Sequence, residues 1–130
     1  MAAIPDNFKD LFKKKAFAHL ATLMTDGTPH VSPVWCELDG NDVVLNTAKG
    51  RVKEKNMRRN KHVALSIQDP ENPYRYIGVR GEVVEITETG ADAYIDNLAK
   101  KYTGDVYKKR QPGEVRVTYK IRPDRIFTQG

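Results

Sequence analysis

A cluster of basic residues follows a glycine turn near the middle of the chain. The stretch LNTAKGRVKEKN, residues 45–56, runs from an apolar segment through Gly50 into a segment with helical character. Between residues 49 and 61, Glu54 stands alone among the cations Lys49, Arg51, Lys53, Lys55, Arg58, Arg59 and Lys61. Free backbone N–H groups, the positive end of a helix dipole and cationic side chains all favour a phosphate. Gly50 permits close backbone approach and Thr47 adds a hydroxyl donor, so we predict a phosphate site here.

The basic stretch has two other interpretations. A charged helix face is commonly just solvated, and pairing of Glu54 with Arg58 at i, i+4 would leave the other cations facing water. Basic runs also neutralise nucleic-acid backbones. Aromatic residues do not alternate with these cations and no nucleic-acid motif is present, which makes nucleic acid the less favoured partner. The position after a strand end and a glycine favours the phosphate site.

Short strands surround the basic turn. We predict strands over residues 17–25, 30–38, 42–47, 62–67, 76–86 and 115–121, from alternating or branched apolar runs bounded by turn residues. Residues 122–129 are expected to form a last short edge element. Pro33 cannot donate to a ladder, so its strand should lie at an edge or carry a bulge. Hairpin-connected strands with few helices predict a mainly β, six-stranded antiparallel barrel.

Three helices flank the predicted strands. Phe8, Leu11 and Phe12 share one face of a short N-terminal helix, and residues 51–59 form a second. A third helix carries an apolar stripe from residue 91 to residue 102 and should end at Gly104. Its start is predicted at a capping box of Thr89 and Asp92.

Composition is that of one globular domain over residues 1–130. The net charge of +5 indicates an anionic partner, and 39% hydrophobic with 30% charged residues is typical of a soluble protein. No apolar run approaches a membrane span and no secretory signal begins the chain, so we expect a cytoplasmic protein without a membrane partner. The single cysteine, Cys36, excludes an intrachain disulfide. The three histidines are dispersed without ligand spacing, so we expect no metal site.

The order of these motifs resembles a known superfamily. The segment HLATLMTDGTPHVSPVWCELDGNDVVLNTAKGRVKEKNMRRNKHVALSI, followed by DPENPYRYIGVRGEV and IDNLAKKYTG, resembles the pyridoxamine 5′-phosphate oxidase-like, FMN-binding split-barrel superfamily. It is most similar to the branch of deazaflavin (coenzyme F-420)-dependent oxidoreductases. The resemblance spans about residues 8–128. It implies a six-stranded split barrel, a homodimer, and a cofactor in a groove between the subunits.

The resemblance also assigns site residues. The phosphate-binding turn falls on Thr47, Gly50, Arg51, Lys53, Lys55 and Asn56, and the strand beneath the cofactor ring falls on Ser32, Pro33, Val34 and Trp35. Asn46 is a polar neighbour, whereas Gln68 and the segment 74–76 are weaker candidates. Lys13, Lys14 and Lys15 are candidates to hold the polyglutamate tail of the deazaflavin, although an ordinary solvated run is the favoured interpretation of these lysines.

The sequence departs from pyridoxamine-phosphate oxidases proper. Val31 and Cys36 stand in the second strand where those enzymes have a basic residue, and the sequence stops at Gly130 without their C-terminal Trp and Arg segment. These departures argue against pyridoxal phosphate synthesis. The resemblance implies a reductase that passes a hydride between coenzyme F-420 and a small unsaturated acceptor. FMN in the same fold, or a non-catalytic binding protein, are the alternatives. Catalytic residues are not identifiable, because in hydride transfer the cofactor carries the chemistry.

Overall fold

The computed structural model describes residues 2–130, and strands dominate it. A 3-10 helix over Asp6–Phe12 precedes β1 (Ala18–Leu23), β2 (Pro29–Val34), β3 (Glu37–Asp39), β4 (Asp42–Ala48), α1 (Val52–Arg59), β5 (His62–Asp69), β6 (Asn72–Thr87), α2 (Ala91–Thr103) and β7 (Arg116–Gln129). The strands form one antiparallel sheet in the order β2-β1-β5-β6-β7-β4-β3. The prediction of a mainly β, antiparallel fold is confirmed, with seven strands instead of six.

The seventh strand arises because the predicted second strand is broken. β2 ends at Val34 and β3 begins at Glu37, and these two strands are the opposite edges of the sheet. Only Trp35 and Cys36 connect them, and two residues bridge no more than roughly 10 Å. The sheet must therefore curl until its edges nearly meet, which produces a barrel split between β2 and β3. Pro33 lies in edge strand β2, opposite His19 of β1, as predicted.

The C-terminal segment is longer than expected. Residues 122–129 continue β7 and pair with β6 as far as Gln129 opposite Tyr76, so the prediction of a separate short edge element is wrong. The pairing register between β6 and β7 shifts at two irregularities, one of them between Arg80 and Gly81. Such bulges bend long strands and let them follow the curve of a barrel. A Cβ at Gly81 would lie 2.4 Å from the carbonyl oxygen of Arg122, so only glycine fits there.

The helices pack against the strands. Phe8, Leu11 and Phe12 are buried in the main core, as the N-terminal pattern predicted. α2 ends at Gly104 in the left-handed region, also as predicted. The capping box is wrong: α2 starts after Gly90, at φ +75°, with no side-chain cap. The chain enters α2 through a left-handed turn that glycine adopts cheaply, and this entry leaves Thr89 outside the capping position.

No helix within residues 2–130 has the length and apolar character needed to cross a bilayer.

Candidate functional site

A cleft of about 150 Å³ opens beside the split in the barrel. It lies where the end of β2, the end of β4, the start of α1 and the start of β7 come together. Its walls are formed by Phe17, Pro33, Val34, Trp35, Asn46, Thr47, Arg51, Lys53, Ile95, Tyr107 and Arg116. One side of the cleft is therefore cationic and another is aromatic.

Most of the sequence-predicted site residues meet in this cleft. Pro33, Val34, Trp35, Asn46, Thr47, Arg51 and Lys53 all line it. Ser32 joins them indirectly, because Lys53 Nζ donates to Ser32 Oγ over 3.3 Å. The segment at the end of β2 and the basic turn are far apart in the sequence, and the resemblance assigns both to one cofactor. In the structure they face the same space.

Other predicted residues lie elsewhere. Lys55 is exposed on α1 and does not line the cleft. Asn56 lies on the buried face of α1, where its amide donates to Thr22 Oγ1 over 3.0 Å. This hydrogen bond attaches the helix to β1. Gln68 donates to the Pro73 carbonyl at the turn between β5 and β6. The segment 74–76 also lies outside the cleft walls.

Glu54 organises the turn at Gly50. Gly50 adopts φ +94°, and its N–H donates to Glu54 Oε1 over 3.0 Å. The buried Glu54 carboxylate also accepts hydrogen bonds from Tyr119 and Arg58, which confirms the predicted i, i+4 pair. Burial opposes ionisation of Glu54, but the donors together outweigh it and lower its pKa. The buried Glu54 carboxylate therefore fixes the conformation of the turn. Arg51, in an extended conformation, precedes the first residue of α1.

The cationic wall has lost part of its hydration. Burial lowers the pKa of Lys53, and the nearby charges of Arg51 and Arg116 lower it further. Burial also lowers the pKa of Arg116, which is 4% exposed. Cations withdrawn from water and held close together need a counter-charge. The start of α1 adds the positive end of its dipole to the same wall.

Two buried polar atoms of the cleft have no hydrogen-bond partner. These are Thr47 Oγ1 and Arg116 Nη1. The remaining polar atoms beside them are used: Arg116 Nε donates to Asn46 Oδ1 over 2.9 Å, and Asn46 Nδ2 donates to the Ala91 carbonyl over 2.9 Å. Buried groups without partners are costly unless a ligand or water satisfies them. The Thr47 hydroxyl, and an Arg116 Nη1 that faces Glu114 Oε1 at 3.4 Å without a hydrogen bond, are donors that fit the oxygens of a phosphate.

Sequence reasoning missed four cleft residues: Phe17, Ile95, Tyr107 and Arg116. Arg116 reaches the site because β7 pairs with β4, which places it opposite Ala48 just before the basic turn. Arg116, a charged residue at the start of the alternating run VRVTYKI, was the available signal. Tyr107 lies in a polar loop, where no pattern marks it.

The aromatic wall is built around Trp35. Its ring stacks on Tyr102 with centroids 5.2 Å apart and meets Tyr107 edge to face at 6.2 Å. Tyr102 is held in turn by a hydrogen bond of 2.7 Å from its hydroxyl to the Ala16 carbonyl. The Arg116 guanidinium lies 5.0 Å from the centre of the Tyr107 ring. These contacts give the cleft a rigid, flat surface next to its cations.

Other titratable residues fall outside this arrangement. Cys36 is fully buried and burial raises its pKa to about 11, so the thiol stays protonated at neutral pH. Lys14 pairs with Asp10 and Asp69, whereas Lys13 lines a separate cavity near the N-terminal helix. Within residues 2–130, no three His, Cys, Asp or Glu side chains converge in a way that could hold a metal ion.

The fold is a split β-barrel whose cationic cleft lies beside the split. Residues 4–130 match the model of the family described as pyridoxamine 5′-phosphate oxidase, and the chain belongs to that family. The superfamily resemblance drawn from the sequence is thereby confirmed. No match was found among curated proteins.

Several solved structures are similar to this chain. An F420 reductase is 33% identical, with a TM-score of 0.85 and coverage of 95% of this chain and 98% of that one. A conserved hypothetical protein from Mycobacterium tuberculosis is 22% identical, with a TM-score of 0.78 and coverage of 99% and 86%. A putative pyridoxamine 5′-phosphate oxidase from Listeria innocua is 22% identical, with a TM-score of 0.64 and coverage of 86% of both chains. The family and the F420 reductase support an oxidoreductase-like function with a flavin or deazaflavin.

Proposed function

We propose that the protein is a coenzyme F-420-dependent reductase that transfers a hydride between the deazaflavin and a small unsaturated acceptor. The observation that carries this proposal is the convergence of Arg51, Lys53 and Arg116 with the unpartnered Thr47 hydroxyl in one cleft. The similarity to an F420 reductase favours the deazaflavin over FMN.

The phosphate of the cofactor is held by the cationic wall in this proposal. Thr47 offers a buried hydroxyl without a partner, and Arg116 offers a buried Nη1 that is ion-paired with Glu114 but makes no hydrogen bond. Lys53 and Arg51 add charge at the start of α1. Charge-assisted hydrogen bonds of this kind contribute about 1.5–3 kcal/mol each. The buried Glu54 keeps the Gly50 turn in position, so the donors need little reordering when the phosphate binds.

The ring is proposed to lie along residues 32–35. β2 pairs on one side only, so its other edge leaves backbone groups free beside Pro33 and Val34. Trp35, supported by Tyr102, gives that region a flat apolar surface. The ring supplies hydride chemistry when bound, and the protein orients it and excludes water. No acid or base of the chain is required for this role.

We propose a homodimer in which the second subunit completes the site. The cleft volume of about 150 Å³ is well below the roughly 300–1,000 Å³ of ordinary small-molecule pockets. Val31, Phe17 and Val52, which are 64%, 47% and 45% exposed, leave apolar surface close to the cleft. A second subunit over this surface would enclose the ring and bury these side chains. We propose the cytoplasm as the location.

Titration with coenzyme F-420 and with FMN tests the proposal. Trp35 is the only tryptophan, so its fluorescence reports directly on the cleft. Arg51→Ala with Lys53→Ala should weaken binding at least about a hundredfold, since two charge-assisted contacts are lost. Lys55→Ala removes one positive charge from the exposed face of α1 and should change the affinity less than about twofold.

Turnover separates the possible classes. Oxidation of reduced coenzyme F-420 by a panel of quinones, unsaturated lactones and nitro compounds is expected of a reductase, whereas binding without turnover would indicate a carrier or sensor. Tight binding of FMN without binding of coenzyme F-420 would indicate that the cofactor is a flavin. Binding of neither compound, or equal effects of the double variant and Lys55→Ala, would contradict the proposal. Salt-dependent retardation of oligonucleotides would favour the nucleic-acid interpretation.

A further inference from the structure

One carboxylate, Glu114, lies among the cations of the cleft. Its side chain is 6% exposed, and its Oε1 lies 3.5 Å from Arg51 Nη2 and 3.4 Å from Arg116 Nη1. The backbone around it is held in place: Glu114 N donates to the Gln111 carbonyl, and the next carbonyl, of Val115, accepts from Lys49 N. Glu114 is therefore a fixed negative charge beside the proposed phosphate site.

Glu114 is imperfectly paired with the cations beside it. Its two contacts are longer than the roughly 2.7–2.9 Å of good charge-assisted hydrogen bonds, and its buried Oε2 has no partner. Its charge still compensates the buried Arg116, because removing one partner of a buried ion pair leaves the other charge uncompensated. The carboxylate therefore sets the net charge that the cleft presents to a ligand.

We propose that Glu114 makes the cleft select singly charged phosphodiesters over doubly charged phosphomonoesters. This inference rests on the proposed function and specifies its cofactor. The phosphate of coenzyme F-420 is a diester with one negative charge, whereas that of FMN is a monoester close to two negative charges at neutral pH. Glu114 offsets part of the charge of Arg51 and Arg116, so the cleft keeps enough positive charge for the first ligand and repels the second more strongly.

The physical basis is that repulsion from a fixed charge scales with the charge of the ligand. Whatever factor Glu114 imposes on a monoanion, it imposes about the square of that factor on a dianion at the same place. The repulsion is only partly screened, because the carboxylate and Arg116 are largely removed from water, whereas Arg51 is 47% exposed. Glu114 thus discriminates by charge without touching the ring or the ribityl chain.

The test compares Glu114→Gln with the wild-type protein. The substitution keeps the shape and a carbonyl acceptor but removes the charge. Affinity for coenzyme F-420 should rise about tenfold and affinity for FMN about a hundredfold, both read by Trp35 fluorescence. Glu88→Gln is the matched control: Glu88 faces Lys49 and Arg58 beside the same turn but is 48% exposed, so both affinities should change less than about twofold.

The outcomes separate this inference from the proposed function. Equal gains for both ligands in Glu114→Gln, no gain, or the same selectivity change in Glu88→Gln would overturn the role of Glu114. Failure of the wild-type protein to bind either cofactor would instead contradict the proposed function. In that case methyl phosphate and dimethyl phosphate, compared by thermal shift in both proteins, still test the charge rule. Without ligand, Glu114→Gln should melt below the wild type, because the buried Arg116 loses its counter-charge.

Discussion

Replacing Glu54 with alanine should be among the most destabilising single changes in this protein. The Glu54 carboxylate is 2% exposed and accepts from Gly50, Arg58 and the buried hydroxyl of Tyr119. Its removal leaves the buried Tyr119 hydroxyl and the Gly50 N–H without partners. Breaking such a buried charged network costs about 3–5 kcal/mol. For a chain of this length that corresponds to a fall in melting temperature of about 10–20 °C.

Thermal unfolding followed by circular dichroism measures this loss. Glu54→Gln keeps one acceptor and should lose roughly half as much free energy of unfolding, because hydrogen bonds to a charged group are about twice as strong as neutral ones. Glu71→Ala removes a carboxylate that is 79% exposed and should cost less than about 1 kcal/mol. In a cycle with Tyr119→Phe, the coupling to Glu54 should be about 1–3 kcal/mol.

The pH dependence gives a further check on Glu54. Because its pKa in the folded state lies below the ordinary 4.5, its contribution is fully present above pH 4.5 and is lost as the pH falls through the folded value. A Glu54→Ala protein that melts within a few degrees of the wild type would refute the view that this carboxylate fixes the turn. So would a coupling to Tyr119 near zero.

Two further predictions concern the barrel. A backbone N–H two residues on, together with cations such as Arg75, lowers the pKa of Asp69 from 3.8 to about 2, so the stability it contributes is present above pH 3.8 and lost as the pH falls towards 2. Acid unfolding of Asp69→Asn should therefore depend less on pH in that window; an unchanged slope would count against the assignment. Gly81→Ala should cost about 1–3 kcal/mol because the new Cβ meets the Arg122 carbonyl at 2.4 Å. The matched Gly78→Ala, whose nearest contact is at 3.7 Å, should cost clearly less in chemical denaturation, and equal costs would contradict the close contact.

Local chemistry was readable from the sequence. The turn at Gly50, the Glu54–Arg58 pair, the end of α2 at Gly104 and the edge position of Pro33 follow from backbone preferences and from contacts only a few residues apart. Alternating strands between turn residues indicated the antiparallel barrel, since burial on one face imposes a period of two. The shared location of the basic turn and residues 32–35 came from the family resemblance.

Long-range pairing decided the rest. Arg116 lies in the cleft because β7 pairs with β4 in a register that places it opposite Ala48. Glu114 lies close to it and pairs with Arg51. The site therefore contains one cation and one carboxylate that the local pattern of the basic turn did not indicate. The break at Trp35 depends on curvature of the whole sheet, and the burial of Asn56 depends on β1 lying beneath α1. A sequence determines which conformations each segment prefers, because those preferences act over a few bonds. Which distant side chains share a cleft is determined only when the strands pair and the barrel closes.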